Sequence, residues 1–115
     1  MTKNLDNDGL RAIVDNYQLF YIDLWGVIHN GITLHENAIF TLKEITKRNK
    51  EYVLLTNAPR PNSAVKIFLE KMGMEKKIID HVFTSGEAAL NYLNKNHLND
   101  KFFHIGPPRD FDLFK

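Results

Sequence analysis

The sequence predicts an α/β fold built on a parallel sheet, and three observations carry that reading. Apolar runs of strand type alternate with amphipathic helical stretches. The first run is almost unbroken by polar residues, as a strand covered on both faces reads. The connections are too short for anything but right-handed crossovers.

Leu10, Ile13, Val14 and Tyr17 recur at helical intervals behind Asn7 and Asp8, each a suitable N-cap, and predict a first helix. The run 19–28 (LFYIDLWGVI) follows as the first strand, interrupted by one carboxylate, Asp23. Ala38, Ile39, Leu42 and Ile45 mark a second helix, which ends in a cationic stretch, Lys47, Arg48 and Lys50, where cations favour a helix C-terminus. Residues 52–55 (YVLL) form the second strand. A proline-rich turn through Thr56, Asn57, Ala58, Pro59, Arg60 and Pro61 precedes a helix capped by Asn62 or Ser63, whose core stripe is Val65, Phe68, Leu69 and Met72. Gly73 stops that helix in a left-handed conformation. A short third strand around His81, Val82 and Phe83 leads into Thr84 and Glu87, spaced as a capping box for a helix carrying Ala89, Leu90, Leu93 and Leu98. A fourth strand is expected at Phe102, Phe103, His104 and Ile105.

The 115 residues, 43% apolar and 25% charged, suit a single domain spanning 1–115. Fifteen Lys and Arg against 14 Asp and Glu leave a formal charge of +1, too small a field to imply a nucleic-acid partner. Lys43, Lys47, Arg48 and Lys50 lack interleaved aromatics for base stacking and read as a solvated helix end. No apolar run reaches the ~20 residues of a membrane span, and the polar start is not a secretion signal, so no membrane partner and a cytoplasmic location are expected. The chain has no cysteine, which excludes disulfides, thiolate metal sites and a cysteine nucleophile. His29, His35, His81, His97 and His104 show no metal-ligand spacing and read as surface or strand residues, with His29 nearest the expected site.

Ligands of open parallel sheets bind beyond the carboxyl ends of the strands. Three such ends carry polar groups here: Asp23, then Thr56 and Asn57, then Thr84, Ser85 and Gly86. Hydroxyls and free amides hold anionic oxygens, and Mg²⁺ bridges a carboxylate to a phosphate. An aspartate so placed is also able to attack phosphorus. The bland readings are a structural carboxylate at Asp23, turn residues at Thr56 and Asn57, a solvated cation at Arg60, and a capping box at Thr84 and Glu87.

The run 20–31 (FYIDLWGVIHNG) resembles the first motif of the haloacid dehalogenase superfamily in its subclass IIA form, that of NagD-like sugar phosphatases. Residues 54–60 (LLTNAPR) resemble the second motif. Residues 83–88 (FTSGEA) and 104–110 (HIGPPRD) resemble two further signatures of the subclass, in register. The resemblance implies a three-layer α/β/α Rossmann-like core, here incomplete, and a Mg²⁺-dependent phosphatase of small phosphorylated metabolites. It implies Asp23 as nucleophile and metal ligand, the Trp25 backbone carbonyl as second metal ligand, and Thr56, Asn57 and Arg60 as phosphate-binding residues.

Two departures accompany these matches. The superfamily's acid–base aspartate two residues after the nucleophile is replaced by Trp25, whose indole shuttles no proton. The cap domain expected near Gly106, and the lysine and acidic pair after it, are absent, so the chain reads as the N-terminal portion of a longer protein. An exposed sheet edge, and hence self-association or strands borrowed from a partner, is expected. A non-catalytic remnant or binding module is the competing reading. A receiver-like phosphoacceptor domain is disfavoured, because Asp6 and Asp8 precede a helix rather than end a strand.

Overall fold

The computed structural model describes residues 4–114; the first three residues of the polar start lie outside that range. Three parallel strands form the sheet, β1 (Leu19–Asp23), β2 (Glu51–Thr56) and β3 (Val82–Thr84), in the order β1-β2-β3. The helices are α1 (Glu36–Lys47), α2 (Asn62–Lys71), the short α3 (Lys76–Ile79) and α4 (Ser85–Asn96). The expected parallel α/β class is borne out.

Register decides the two faces. Ile22 pairs with Leu54 and Leu54 with Val82, while Asp23 pairs with Leu55 and Leu55 with Phe83. Side chains alternate across a strand, so Phe20, Ile22, Tyr52, Leu54 and Val82 share one face. That face meets Leu42 and Ile45 of α1, Leu69 of α2, and Ile78 and Ile79 of α3 in one core. The opposite face presents Leu19, Tyr21, Leu55 and Phe83 to solvent, with Tyr21 71% exposed. The first strand is therefore covered on one face, not both. An apolar run reports that a strand is suited to double burial, but the second layer must come from elsewhere. The radius of gyration, 16.6 Å, exceeds the ~13 Å of a compact chain of this length, in keeping with a core open on one side.

The predicted first helix is instead two 3₁₀ turns, Leu10–Ala12 and Val14–Asn16, broken at Ile13 (φ −130°). Gly9, with φ +70°, takes the place before the first turn. Consecutive β-branched residues followed by Asp15 and Asn16, whose side chains compete for the backbone, are poor material for an α-helix. The predicted fourth strand is absent among the described residues, and Phe103 and Ile105 are about nine-tenths exposed. Periodicity nominates a strand without supplying a neighbour to pair with it. The helix α3 was not foreseen; its buried Ile78 and Ile79 sit on one turn. Leu98 lies beyond α4 and is exposed. Phe68, expected in the core, is 43% exposed. Gly73, with φ +92°, follows α2 as predicted. Among the described residues no helix is long and apolar enough to cross a membrane.

Candidate active site

Asp23 is the last residue of β1, and the chain turns immediately after it. The Leu24 carbonyl accepts the N–H groups of Val27, Ile28 and His29 at 3.2, 2.8 and 3.3 Å, and the Gly26 N–H donates to the His29 carbonyl at 2.6 Å. Gly26 sits at φ +80°, a region costly for any residue with a Cβ. Buried Leu24 and Ile28 pin this loop to the core. The Asp23 side chain stays exposed, and its Oδ1 accepts the Leu24 N–H at 2.8 Å. The carboxylate is thus oriented by its own loop without being consumed by the scaffold.

Asp23, Thr56, Asn57 and Ser85 line one open cavity of about 660 Å³, floored by Tyr21, Leu55 and Phe83. Thr56 ends β2, and its Oγ1 accepts the Ala58 N–H at 3.2 Å, a local turn that presents the hydroxyl at the strand tip. Ser85 opens α4, its Oγ 3.4 Å from the Thr56 carbonyl. The arrangement puts a carboxylate opposite hydroxyl and amide donors, a set able to face an anionic group from two sides.

Arg60, read from sequence as a phosphate contact, does not line this cavity. It borders a separate hollow of about 480 Å³ with Ser63, Phe68 and Lys71. Trp25 also lies outside the cavity lining. The residue is 66% exposed, and its ring meets His29 edge-on at 6.3 Å between ring centroids. The charged lining of the cavity is therefore Asp23 alone. Ser85, one of the polar residues at the end of the third strand, belongs to the cavity wall as its place there suggests.

His29 is only 3% exposed, correcting the surface reading. Its Nδ1 accepts the Gly31 N–H at 2.9 Å, which fixes the neutral tautomer with hydrogen on Nε2. Burial, then the neighbouring His35, push its pKa below 6.5, while Asp23 opposes them. A histidine whose folded pKa is lowered binds its proton better in the unfolded chain, so stability is full above about pH 6.5 and falls as the pH drops below it. Urea unfolding should show a lower midpoint at pH 5.5 than at pH 7.5, and His29→Gln should remove much of that difference. An unchanged pH slope in the variant would assign the effect to other groups.

Oxygen donors of this kind suit Mg²⁺, which keeps several waters and takes one or two carboxylates plus a phosphate. Asp23 is the one carboxylate in the cavity wall. Among the described residues no group of three acidic or histidine side chains forms a metal cage. The residues fit a hydrated ion shared with substrate.

The sequence profile of the haloacid dehalogenase-like hydrolase family matches residues 20–115. No curated protein matches the chain. Among solved structures, a haloacid dehalogenase-like hydrolase from Brucella suis 1330 is 30% identical with a TM-score of 0.78, over 91% of this chain and 38% of that one. A 4-nitrophenylphosphatase from Thermotoga maritima is 25% identical with a TM-score of 0.70, over 89% of this chain and 39% of that one. The chain thus spans about two-fifths of the length of either structure.

Proposed function

Because the chain belongs to the haloacid dehalogenase-like hydrolases, we propose that it forms the N-terminal part of a cytoplasmic Mg²⁺-dependent phosphohydrolase acting on small phosphorylated metabolites, with Asp23 as nucleophile. The observation that carries this reading is the shared cavity, in which Asp23, Thr56, Asn57 and Ser85 meet at the strand ends. Similarity to a 4-nitrophenylphosphatase supports the same chemistry.

In this mechanism a carboxylate oxygen of Asp23 forms a bond to phosphorus as the bond to the leaving oxygen breaks. The Thr56 hydroxyl and the Asn57 amide donate hydrogen bonds to the phosphoryl oxygens. Water then cleaves the aspartyl phosphate and releases inorganic phosphate. The Asp23 carboxylate and the Trp25 carbonyl would hold Mg²⁺, which when bound would neutralise the phosphoryl charge. Trp25 offers no proton to the leaving oxygen, so the protonation of an alkoxide falls to solvent. That same residue favours the second reading, a phosphate-binding module with little turnover.

Inorganic phosphate titrated with Mg²⁺ should shift the amide NMR signals of residues 23–26, Thr56, Asn57 and Ser85. Shifts confined to other parts of the chain would refute the assignment.

The partner we propose is a second copy of this chain. β1 is an edge strand, and 19–23 (LFYID) has neither proline nor lysine to discourage pairing. Its exposed face adjoins Leu55 and Phe83, and a net charge of +1 repels a second copy only weakly. Light scattering at tens of micromolar should report a mass above the monomer, and Tyr21→Lys should return it to the monomer. A cooperatively folded, strictly monomeric chain at that concentration sinks the proposal.

A further inference from the structure

The spacing of Thr84 and Glu87 predicts a capping box, in which the glutamate turns back on the N–H of its own cap residue. Half of that box is present: the Glu87 N–H donates to Thr84 Oγ1 at 2.9 Å. The other half has exchanged partners with a second helix. The Thr84 N–H donates to Asn62 Oδ1 at 2.9 Å, and the Asn62 N–H donates to Glu87 Oε2, also at 2.9 Å. The starts of α2 and α4 therefore satisfy each other's orphan donors, although neither Pro61 nor Asn62 caps α2 from within.

Two further bonds tie the same pieces together. Thr84 Oγ1 donates to the Arg60 carbonyl, and the Gly86 N–H donates to the Ala58 carbonyl at 3.0 Å. A Cβ on Gly86 would lie 2.4 Å from the Arg60 carbonyl oxygen, so only glycine permits this approach. The irregular segment 57–61 between β2 and α2 is thus held at both ends by the start of α4. Asn57 stands at the head of that segment, and Ser85 belongs to the clasp that holds it.

We propose that Glu87 is a positioning residue for the anion-binding turn: it fixes the start of α2, and through it the 57–61 segment, so that Thr56 and Asn57 face Asp23 and Ser85. The inference rests on the phosphohydrolase reading. Glu87 itself does not line the cavity, so it acts through the backbone and not on the ligand.

Charge and geometry predict opposite outcomes. Removing an anion near a phosphate site, by itself, strengthens phosphate binding in every variant that does so. If Glu87 positions the turn, Glu87→Ala weakens binding of inorganic phosphate with Mg²⁺ by about tenfold in NMR titration of the whole chain. Glu87→Gln, neutral but still offering an acceptor oxygen, binds at least as well as the parent. Circular dichroism and cooperative unfolding confirm that both variants are folded. If Glu87→Ala fails to fold, Asn62→Ala, which removes the reciprocal bond to the Thr84 N–H, is expected to show the same loss. Equal affinity in parent and folded alanine variant overturns the proposal, as does a glutamine variant no better than the alanine one. A parent that shows no phosphate response at Thr56, Asn57 and Ser85 refutes the phosphohydrolase reading instead. The clasp is then judged by hydrogen exchange: Asn62 and Gly86 amides must exchange faster together in Glu87→Ala, and unchanged exchange overturns it.

Discussion

Asp23→Asn should reduce Mg²⁺-dependent release of 4-nitrophenolate from 4-nitrophenyl phosphate to the solvent background while leaving the fold unchanged. The structural cost is small because the side chain is exposed and asparagine keeps an oxygen to accept the Leu24 N–H; surface changes of this kind usually lie within about 0.5 kcal/mol. The chemical cost is complete, since a neutral amide neither attacks phosphorus nor draws a cation. Mass spectrometry provides the second reading. The parent chain should gain one phosphoryl group on Asp23, and the variant none. Equal release by both proteins, at matched folding, would refute nucleophilic catalysis at this position. An aryl phosphate is the right probe, because its leaving group departs without a proton and so isolates the step proposed for Asp23.

The grouping of most candidate site residues was legible in the sequence because strand ends are legible. A carboxylate interrupting an apolar run, as Asp23 does, and a Thr-Asn pair where another run stops identify the rim of a parallel sheet without coordinates. The parallel register then brings Asp23 beside Leu55 and Thr56 beside Thr84. Illegible were the relations that depend on which segments become neighbours. Thr84 and Glu87 carry the spacing of a local cap, and the Glu87 N–H does donate to Thr84 Oγ1, but their other bonds go to Asn62 and Arg60, more than twenty residues earlier. The place of Arg60 in the 54–60 run suggested a ligand contact, but its side of the segment borders a different hollow. His29 reads as a surface or strand residue in the sequence, whereas in the fold it is buried, with its ring edge-on to Phe68 at 5.8 Å between centroids. Phe102 to Ile105 has strand composition but no neighbour to receive it, and the single-sided cover of β1 is the same lesson on a larger scale.

On the proposed mechanism, Trp25→Asp should give a catalyst that turns over where the parent stalls at the aspartyl phosphate. The substitution places a carboxylate two residues after Asp23, the proposed nucleophile, on a loop whose backbone is fixed by the Leu24 and His29 carbonyls. The residue it removes is two-thirds exposed and contributes chiefly an edge contact to His29, worth about 0.5–1.5 kcal/mol for an aromatic pair. General acid–base assistance typically contributes ~10²–10⁴-fold, so an unactivated alkyl phosphate should be hydrolysed at least ~100-fold faster by the variant. With 4-nitrophenyl phosphate the pattern should differ. Formation of the aspartyl phosphate needs no acid and should change little, whereas its hydrolysis needs a base to take a proton from water. The parent should therefore release about one equivalent of 4-nitrophenolate in a burst and then slow, and the variant should continue at a steady rate. A variant that accelerates neither alkyl phosphate hydrolysis nor the slow phase would show that the loop does not aim this position at the cavity.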